Sequence, residues 1–296
     1  MKKKIILITG SSGFLGNFFL IDGLKKGYHI VDILRSKNRK NKNLNSIRKL
    51  FPKTYRSIYY SKYKDLEKKL KNQKFDYFIH FATFYKNTHH NKEIPSFLET
   101  NITFPSIILD LVFKKIKKFI NFGTMMQHAD GNNYISKNFY ASSKSAFETI
   151  SNYYFYQNKK LKFYNLKFYE SFAESDKRNK LIPTIFKNFR TNKTTKVISK
   201  NLQLNILHRI DIMNAVHLIL NNRINNGNYC LRYTKNTNIK KLISKINYKL
   251  KKKIKVKFLS NISLKPQKSF LRILPNWKPT INVEKLIQKK FLNENN

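Results

Sequence analysis

A single cysteine, Cys230, stands among the 296 residues, so no internal disulfide can form. That excludes a disulfide-stapled secreted scaffold and fits a reducing cytoplasm. Acidic residues are scarce too: 16 Asp+Glu face 60 Lys+Arg, a formal charge of +44. Such a field attracts polyanions. The lysines are scattered among abundant Asn and Ile, however, and form no single basic arm. The excess reads as compositional drift, and no nucleic-acid partner is expected from it. Long apolar runs are also missing. No stretch reaches the roughly 18 apolar residues of a membrane span, which argues against a membrane partner. Met1-Lys-Lys-Lys4 followed by Ile5-Ile-Leu-Ile8 has the order of a signal peptide, but Thr9-Gly10 ends the apolar run too soon. A cytoplasmic protein is the expectation. His89 and His90 adjoin, but no Cys, His or carboxylate stands at a tetrahedral spacing from them, so no metal is expected.

What is present suffices for a packed core. Hydrophobic residues make up 41% of the chain and aromatics 14%, which excludes a disordered chain. The length suits one large domain, or a nucleotide-binding domain carrying a smaller one. Ile5–Thr9 is a short β-branched run entering glycines and reads as a buried parallel strand. From Phe14 to Lys26 apolar residues recur at helical spacing until Gly27, and Tyr28–Leu34 reads as a second strand. This is a βαβ unit. The alternation continues through strands at Arg56–Tyr60, Asp76–Ala82, Lys118–Phe122 and Lys162–Phe168. Helices are expected around Leu66 and Leu70, over Phe97–Phe113 and over Phe139–Tyr156. Repeated β-then-α order predicts an α/β fold, a doubly wound parallel sheet of Rossmann type. Past Glu170 the pattern loosens. The expected division is a dinucleotide-binding domain over 1–168 and a smaller substrate-binding region over 169–296, with about 205–222 returning to the first. Lys249–Lys257, with Ile254 and Val256 alternating, reads as a solvated edge strand.

The segment Thr9-Gly10-Ser11-Ser12-Gly13-Phe14-Leu15-Gly16 joins the first strand to the first helix. In that context its glycines have separate tasks: a tight turn, close backbone approach to a pyrophosphate, and close helix–strand packing. The helix N-terminus then offers free N–H groups to phosphate oxygens. NAD or NADP is the implied cofactor, with Gly10, Ser12, Gly13, Phe14, Leu15 and Gly16 against it. An acid closing the second strand would bind the ribose hydroxyls of NAD. Leu34 holds that place and Arg35 follows, while Asp32 lies two residues earlier and is expected to face elsewhere. Arg35-Ser36-Lys37 suits a 2′-phosphate, which favours NADP over NAD.

Tyr140-Ala-Ser-Ser-Lys144 puts a phenol and an ammonium four residues apart on one helical face. An ammonium there favours the phenolate, so the tyrosine can exchange a proton with a carbonyl or alcohol near neutral pH. Thr124 directly follows the strand before this helix and can hydrogen-bond the reacting oxygen.

Loop spacing and this constellation together resemble the extended short-chain dehydrogenase/reductases, the NAD-dependent epimerase/dehydratase family. The resemblance implies that Thr124, Tyr140 and Lys144 are the catalytic set, with Tyr140 and Lys144 also touching the cofactor. Asp76-Tyr-Phe-Ile-His-Phe-Ala82 looks like the family's fourth strand, whose end places Phe81, Ala82 and Thr83 near the cofactor. Asn101 sits where a structural asparagine is usual and is carried over as a cofactor contact. Leu166-Lys-Phe-Tyr-Glu170 and Ser175–Pro183 resemble substrate segments, which nominates Glu170 and Arg178. Met125 and His128, beside Thr124, are nominated with them. Leu207-His-Arg-Ile-Asp211 and Leu274-Pro-Asn-Trp-Lys-Pro279 resemble two further family segments. Lys167 and Glu170 replace a common Arg and Asn. Met125-Met126 stand where the family's dehydratases carry Asp-Glu, so water elimination is not implied. Asn121–His128 with Tyr140–Glu148 is most similar to sugar-nucleotide 4-ketoreductases of the CDP-abequose and CDP-paratose synthase type. That implies reduction of a nucleotide-linked 4-keto-6-deoxy sugar for surface polysaccharide. The same residues would serve an epimerase, and a non-catalytic dinucleotide-binding protein with a nucleic-acid-binding basic surface is the reading from another class. A homodimer is plausible from the resemblance alone.

Overall fold

Ile5-Ile-Leu-Ile-Thr9 forms a strand that is buried from its second residue on, as a continuous apolar run between two covered faces requires. The computed structural model describes residues 4–131, 133–262 and 270–294; the side chains of Lys37 and Arg39 lie outside the described residues, and with them the role expected of Lys37. The chain forms two compact units: Met1–Lys167 with Val216–Cys230, and Phe168–Ala215 with Leu231–Asn296.

In the first unit strands and helices alternate: β1 (Ile5–Thr9), α1 (Phe14–Lys25), β2 (His29–Arg35), α2 (Lys42–Leu50), β3 (Tyr55–Tyr60), α3 (Tyr63–Leu70) and β4 (Tyr77–His80). Then follow α4 (Ile94–Leu98), α5 (Phe104–Val112), β5 (Lys118–Phe122), α6 (Phe139–Gln157) and β6 (Lys162–Lys167). The sheet order is β6-β5-β4-β1-β2-β3, all parallel, with a seventh strand, Gly227–Cys230, beyond β6. It is the doubly wound Rossmann sheet expected. The order reverses between β1 and β4, and in such sheets ligands bind beyond the strand ends at that reversal. Leu7, Val31, Phe78, Ile108, Phe119 and Phe147 pack one face of the sheet.

The single helix expected over Phe97–Phe113 is broken. A π-helical turn, Glu99–Thr103, separates α4 from α5. Pro105, near the start of α5, has no N–H to give the carbonyl four residues back, at Asn101, and a widened turn absorbs the loss.

The second unit contains β7 (Glu170–Phe172), α7 (Leu181–Arg190), β8 (Thr195–Val197), β9 (Gln203–Leu204) and β10 (Ile206–His208). Helix α8 (Arg209–Asn221) leads the chain back to the first unit, where β11 (Gly227–Cys230) is the seventh strand. After it come β12 (Thr237–Asn238), α9 (Ile239–Lys249), β13 (Val256–Phe258) and α10 (Val283–Asn293). Only the last part of the basic run is extended: α9 reaches Lys249, and β13 pairs with β8. Phe172, Ile185, Phe186, Ile243, Ile287 and Phe291 share this unit's core. The two segments singled out near its end meet. The Asp211 carboxylate accepts from Thr280 N, Thr280 Oγ1 and Ile281 N, and Trp277 Nε1 donates to Asp211 O at 2.8 Å. Among the described residues no helix is long and apolar enough to cross a membrane.

Candidate active site

The glycine loop closes on itself at the end of β1. Gly13 N donates to Gly10 O at 2.9 Å, and Gly10 takes a left-handed φ of +77°. A Cβ at Gly10 would collide with the backbone of Ala82, and one at Gly16 with the carbonyl of Gly10. The loop thus lies against the end of β4, which brings Phe81 and Ala82 beside it. Gly13 is the N-cap of α1, and no side chain caps that helix start. A helix start with no side-chain cap, a glycine loop and an exposed Ser12 fit a dinucleotide pyrophosphate.

Asp32 faces inward, away from the end of β2. Its carboxyl is buried and accepts from Ser11 Oγ and, at 3.2 Å, from Tyr55 OH. Burial pushes its pKa up to about 7, against the pull of those two hydrogen bonds. It ties the loop to β2 and β3 and leaves the strand end without a carboxylate. Arg35 occupies that end, half-buried, with Nη2 3.4 Å from Thr100 Oγ1.

Beyond β5 the backbone turns at Gly123 into Thr124, the N-cap of a 3₁₀ turn over Met125–Gln127. Thr124 Oγ1 accepts from Met126 N at 3.2 Å, and Thr124 N donates to Gln127 Oε1 at 2.9 Å. Because the hydroxyl oxygen accepts, its own proton can be donated to a substrate oxygen. Tyr140 and Lys144 lie on the first turns of α6, whose N-cap Asn138 accepts from Ala141 N. The Tyr140 ring meets the Tyr85 ring edge-on at 4.8 Å between centroids. Lys144 is buried, and burial brings its ammonium pKa down to about 8. Nearby, His80 is buried with Nδ1 2.8 Å from Thr9 Oγ1, and burial followed by the Lys144 charge holds it neutral. The histidine is a packed core residue.

Asn101 braces the site. Its Oδ1 accepts from Phe84 N and Thr83 Oγ1, and its Nδ2 donates to Phe84 O and Ser143 Oγ. The amide thereby ties the loop after β4 to α6.

The nominated substrate residues fare differently. Met125 and His128 are both buried. His128 Nδ1 lies 3.1 Å from Asn133 O and Nε2 lies 3.0 Å from Lys167 Nζ. In the second unit, Glu170 pairs with Lys180 at 3.3 Å. Arg178 holds both carboxylate oxygens of Asp176, at 2.9 and 2.7 Å, and also donates to Ser171 O. Among the described residues no three His, Cys, Asp or Glu side chains gather as a metal site.

Sequence reasoning missed a buried polar cluster behind Thr124. Lys167 pairs with Glu148 at 2.8 Å, and Gln127 Nε2 donates to Glu148 Oε2 at 2.7 Å. One signal was available: Tyr140, Lys144 and Glu148 recur every four residues, which stacks them on one face of α6.

The model of the NAD dependent epimerase/dehydratase family matches residues 6–231, well over half of the chain. The chain belongs to that family. Members similar to it include CDP-abequose synthases. That of Salmonella muenchen is 25% identical over 232 residues, covering 76% of this chain and 73% of its own. That of Yersinia pseudotuberculosis is 26% identical over 227 residues, covering 76% and 75%. Solved structures of the same fold include the UDP-glucuronic acid 4-epimerase of Bacillus cereus in complex with UDP-glucuronic acid and NAD, at TM-score 0.79, 19% identity and coverage of 97% and 98%. The dTDP-glucose 4,6-dehydratase of Bacillus anthracis in complex with NAD aligns at TM-score 0.76, 20% identity and coverage of 99% and 97%.

Proposed function

We propose that this family member reduces the 4-keto group of a nucleotide-linked 6-deoxyhexose, with NADP preferred over NAD. One observation carries the reading. The chain offers one candidate proton-transfer set, Thr124–Tyr140–Lys144, and the residues after Thr124 are the thioethers Met125 and Met126. An elimination needs a second acid–base pair; a carbonyl reduction needs one proton donor. The CDP-abequose synthases among its relatives support the same choice.

The loop Gly10–Gly16 and the start of α1 would hold the pyrophosphate, Arg35 the 2′-phosphate, and Tyr140 with Lys144 the nicotinamide side. When bound, the nicotinamide supplies a hydride to the carbonyl carbon. Tyr140 OH gives a proton to the oxygen as it becomes an alkoxide. Thr124 Oγ1 donates a hydrogen bond to that oxygen. The Lys144 ammonium stabilises the phenolate left behind.

Absorbance at 340 nm with NADPH and a panel of 4-keto-6-deoxy nucleotide sugars tests the proposal. Cofactor consumption is expected, with loss of at least about 10²-fold in kcat for Tyr140→Phe and unchanged cofactor binding. No consumption across the panel overturns it, as does full activity in the variant. An epimerase on the same residues would convert a nucleotide sugar with no net cofactor change. NAD binding as tight as NADP in a titration overturns the cofactor preference.

A further inference from the structure

Lys167 ends β6 with no solvent exposure, and Glu148 lies behind it in α6, also buried. Burying an ion pair costs desolvation that apolar residues would avoid, so stability alone is a weak reason for one here. The hydrogen bonds show what this pair is connected to. Lys167 Nζ has three kinds of acceptor for its three protons: His128 Nε2 at 3.0 Å, Tyr134 OH at 3.2 Å and the Glu148 carboxylate. Glu148 also accepts from Tyr134 OH at 2.8 Å and from Gln127 Nε2 at 2.7 Å. Gln127 Oε1, the other end of that amide, accepts from Thr124 N.

We propose that Gln127, Glu148 and Lys167 are a positioning relay that sets the orientation of Thr124. This rests on the reading of Thr124 as the hydroxyl donor to the reacting oxygen. A carboxylate only accepts, so Glu148 forces the Gln127 amide to point its NH₂ inward and its carbonyl oxygen at Thr124 N–H. The Lys167 ammonium pairs with Glu148 at 2.8 Å and holds that carboxyl in place in the interior. Thr124 is then held at its backbone N–H, while its Oγ1 is engaged by Met126 N–H with its proton left to donate. The relay packs on bare backbone. A Cβ at Gly123 would lie 2.7 Å from Gln127 Oε1 and 2.8 Å from Lys167 Cγ. Glu148 shares a face of α6 with Tyr140 and Lys144, so the proton donor and the carboxylate that orients Gln127 sit on one rigid element.

A double-mutant cycle with Thr124→Ala separates positioning from general support of the fold. Gln127→Met, of similar volume, should lower kcat about 10–100-fold, with KM and NADPH affinity within about twofold of the parent. In the Thr124→Ala background the same change should cost no more than about twofold in kcat. Glu148→Gln with Lys167→Met replaces the pair by neutral groups, so it keeps the fold while removing the charge that orients Gln127. It should reproduce the kcat loss of Gln127→Met. Equal losses in both Thr124 backgrounds, or an unchanged kcat, overturn the relay. Hydrogen exchange at the Thr124 amide provides a readout free of turnover. It should speed up at least about tenfold in either variant, with core amides of β1 and β5 unchanged. If the unmodified protein turns over no substrate of the panel, the reductase reading fails, and unchanged Thr124 exchange in the variants separately overturns the relay.

Discussion

Lys144 concentrates the chemistry of the site in one charge. Its ammonium is buried, and its pKa falls from 10.5 to about 8 by burial. The unfolded chain therefore binds this proton more tightly than the folded one. Between about pH 8 and 10.5 the unfolded state holds more protons, so this group's contribution to stability rises with pH through that window. At pH 7 the charged lysine costs about 3 kcal/mol relative to its solvated state. Lys144→Met should accordingly stabilise the protein at pH 7, by about 1–3 kcal/mol in urea unfolding, and the advantage should vanish by about pH 10.5. The same variant should lose turnover, because nothing then stabilises the phenolate. In the unmodified protein kcat/KM should fall above about pH 8 as the ammonium is lost. A flat profile from pH 7 to 10 would contradict the assigned role. At this scale the motif residues were legible because they are local. Thr124, Tyr140 and Lys144 were read from short spacings, whereas Gln127, Glu148 and Lys167 meet only through folding across α6 and β6. For the same reason Met125 and His128, nominated by adjacency to Thr124, turn out to be buried.

Among elements, the loop between β1 and α1 makes the sharpest demand on sequence. Gly16 lies where the first turn of α1 presses on the carbonyl of Gly10, and a methyl group there has nowhere to go. Gly16→Ala should weaken dinucleotide binding at least about tenfold and lower stability by about 2 kcal/mol. Gly27 is the complementary case. It has a left-handed φ, +78°, which Gly16 lacks, but nothing lies within 4 Å of its would-be Cβ. Gly27→Ala should cost only the backbone term, about 1 kcal/mol, with cofactor affinity unchanged. A fluorescence titration and thermal melts of both variants check the contrast. Strong periodicity made β1, β5 and α6 legible close to their observed ends. The break between α4 and α5 was not, because a π-helical turn has no apolar period of its own. Strand β11 was missed too: Gly227–Cys230 is short, and only its pairing with β6 makes it a strand.

For the whole molecule the charge of +44 is the dominant feature. Sixteen acidic residues cannot offset it, and surface ion pairs such as Lys117–Asp76 at 3.1 Å and Arg190–Glu294 at 3.0 Å have solvated cations. Like-charge repulsion in the compact state should exceed what these exposed pairs return. Raising NaCl from about 20 to 300 mM should therefore raise the urea midpoint, since the Debye length shortens from about 20 Å to below 10 Å. A midpoint that falls with salt would show that the ion pairs outweigh the repulsion.

The sequence by itself determined the parallel βαβ framework and the glycine loop, and it nominated Thr124, Tyr140 and Lys144 as a proton-transfer set. Each of these is written within a few residues, by hydrophobic period, glycine spacing or one helical turn. Only the tertiary structure decided which polar groups are buried, and against what. It turned Asp32 inward onto Ser11 and Tyr55, committed Asn101 to bracing Ser143, and joined Glu148 to Lys167 behind Thr124. These pairings link residues far apart in the chain, and they form because a polar group removed from water must find a partner wherever the fold brings one.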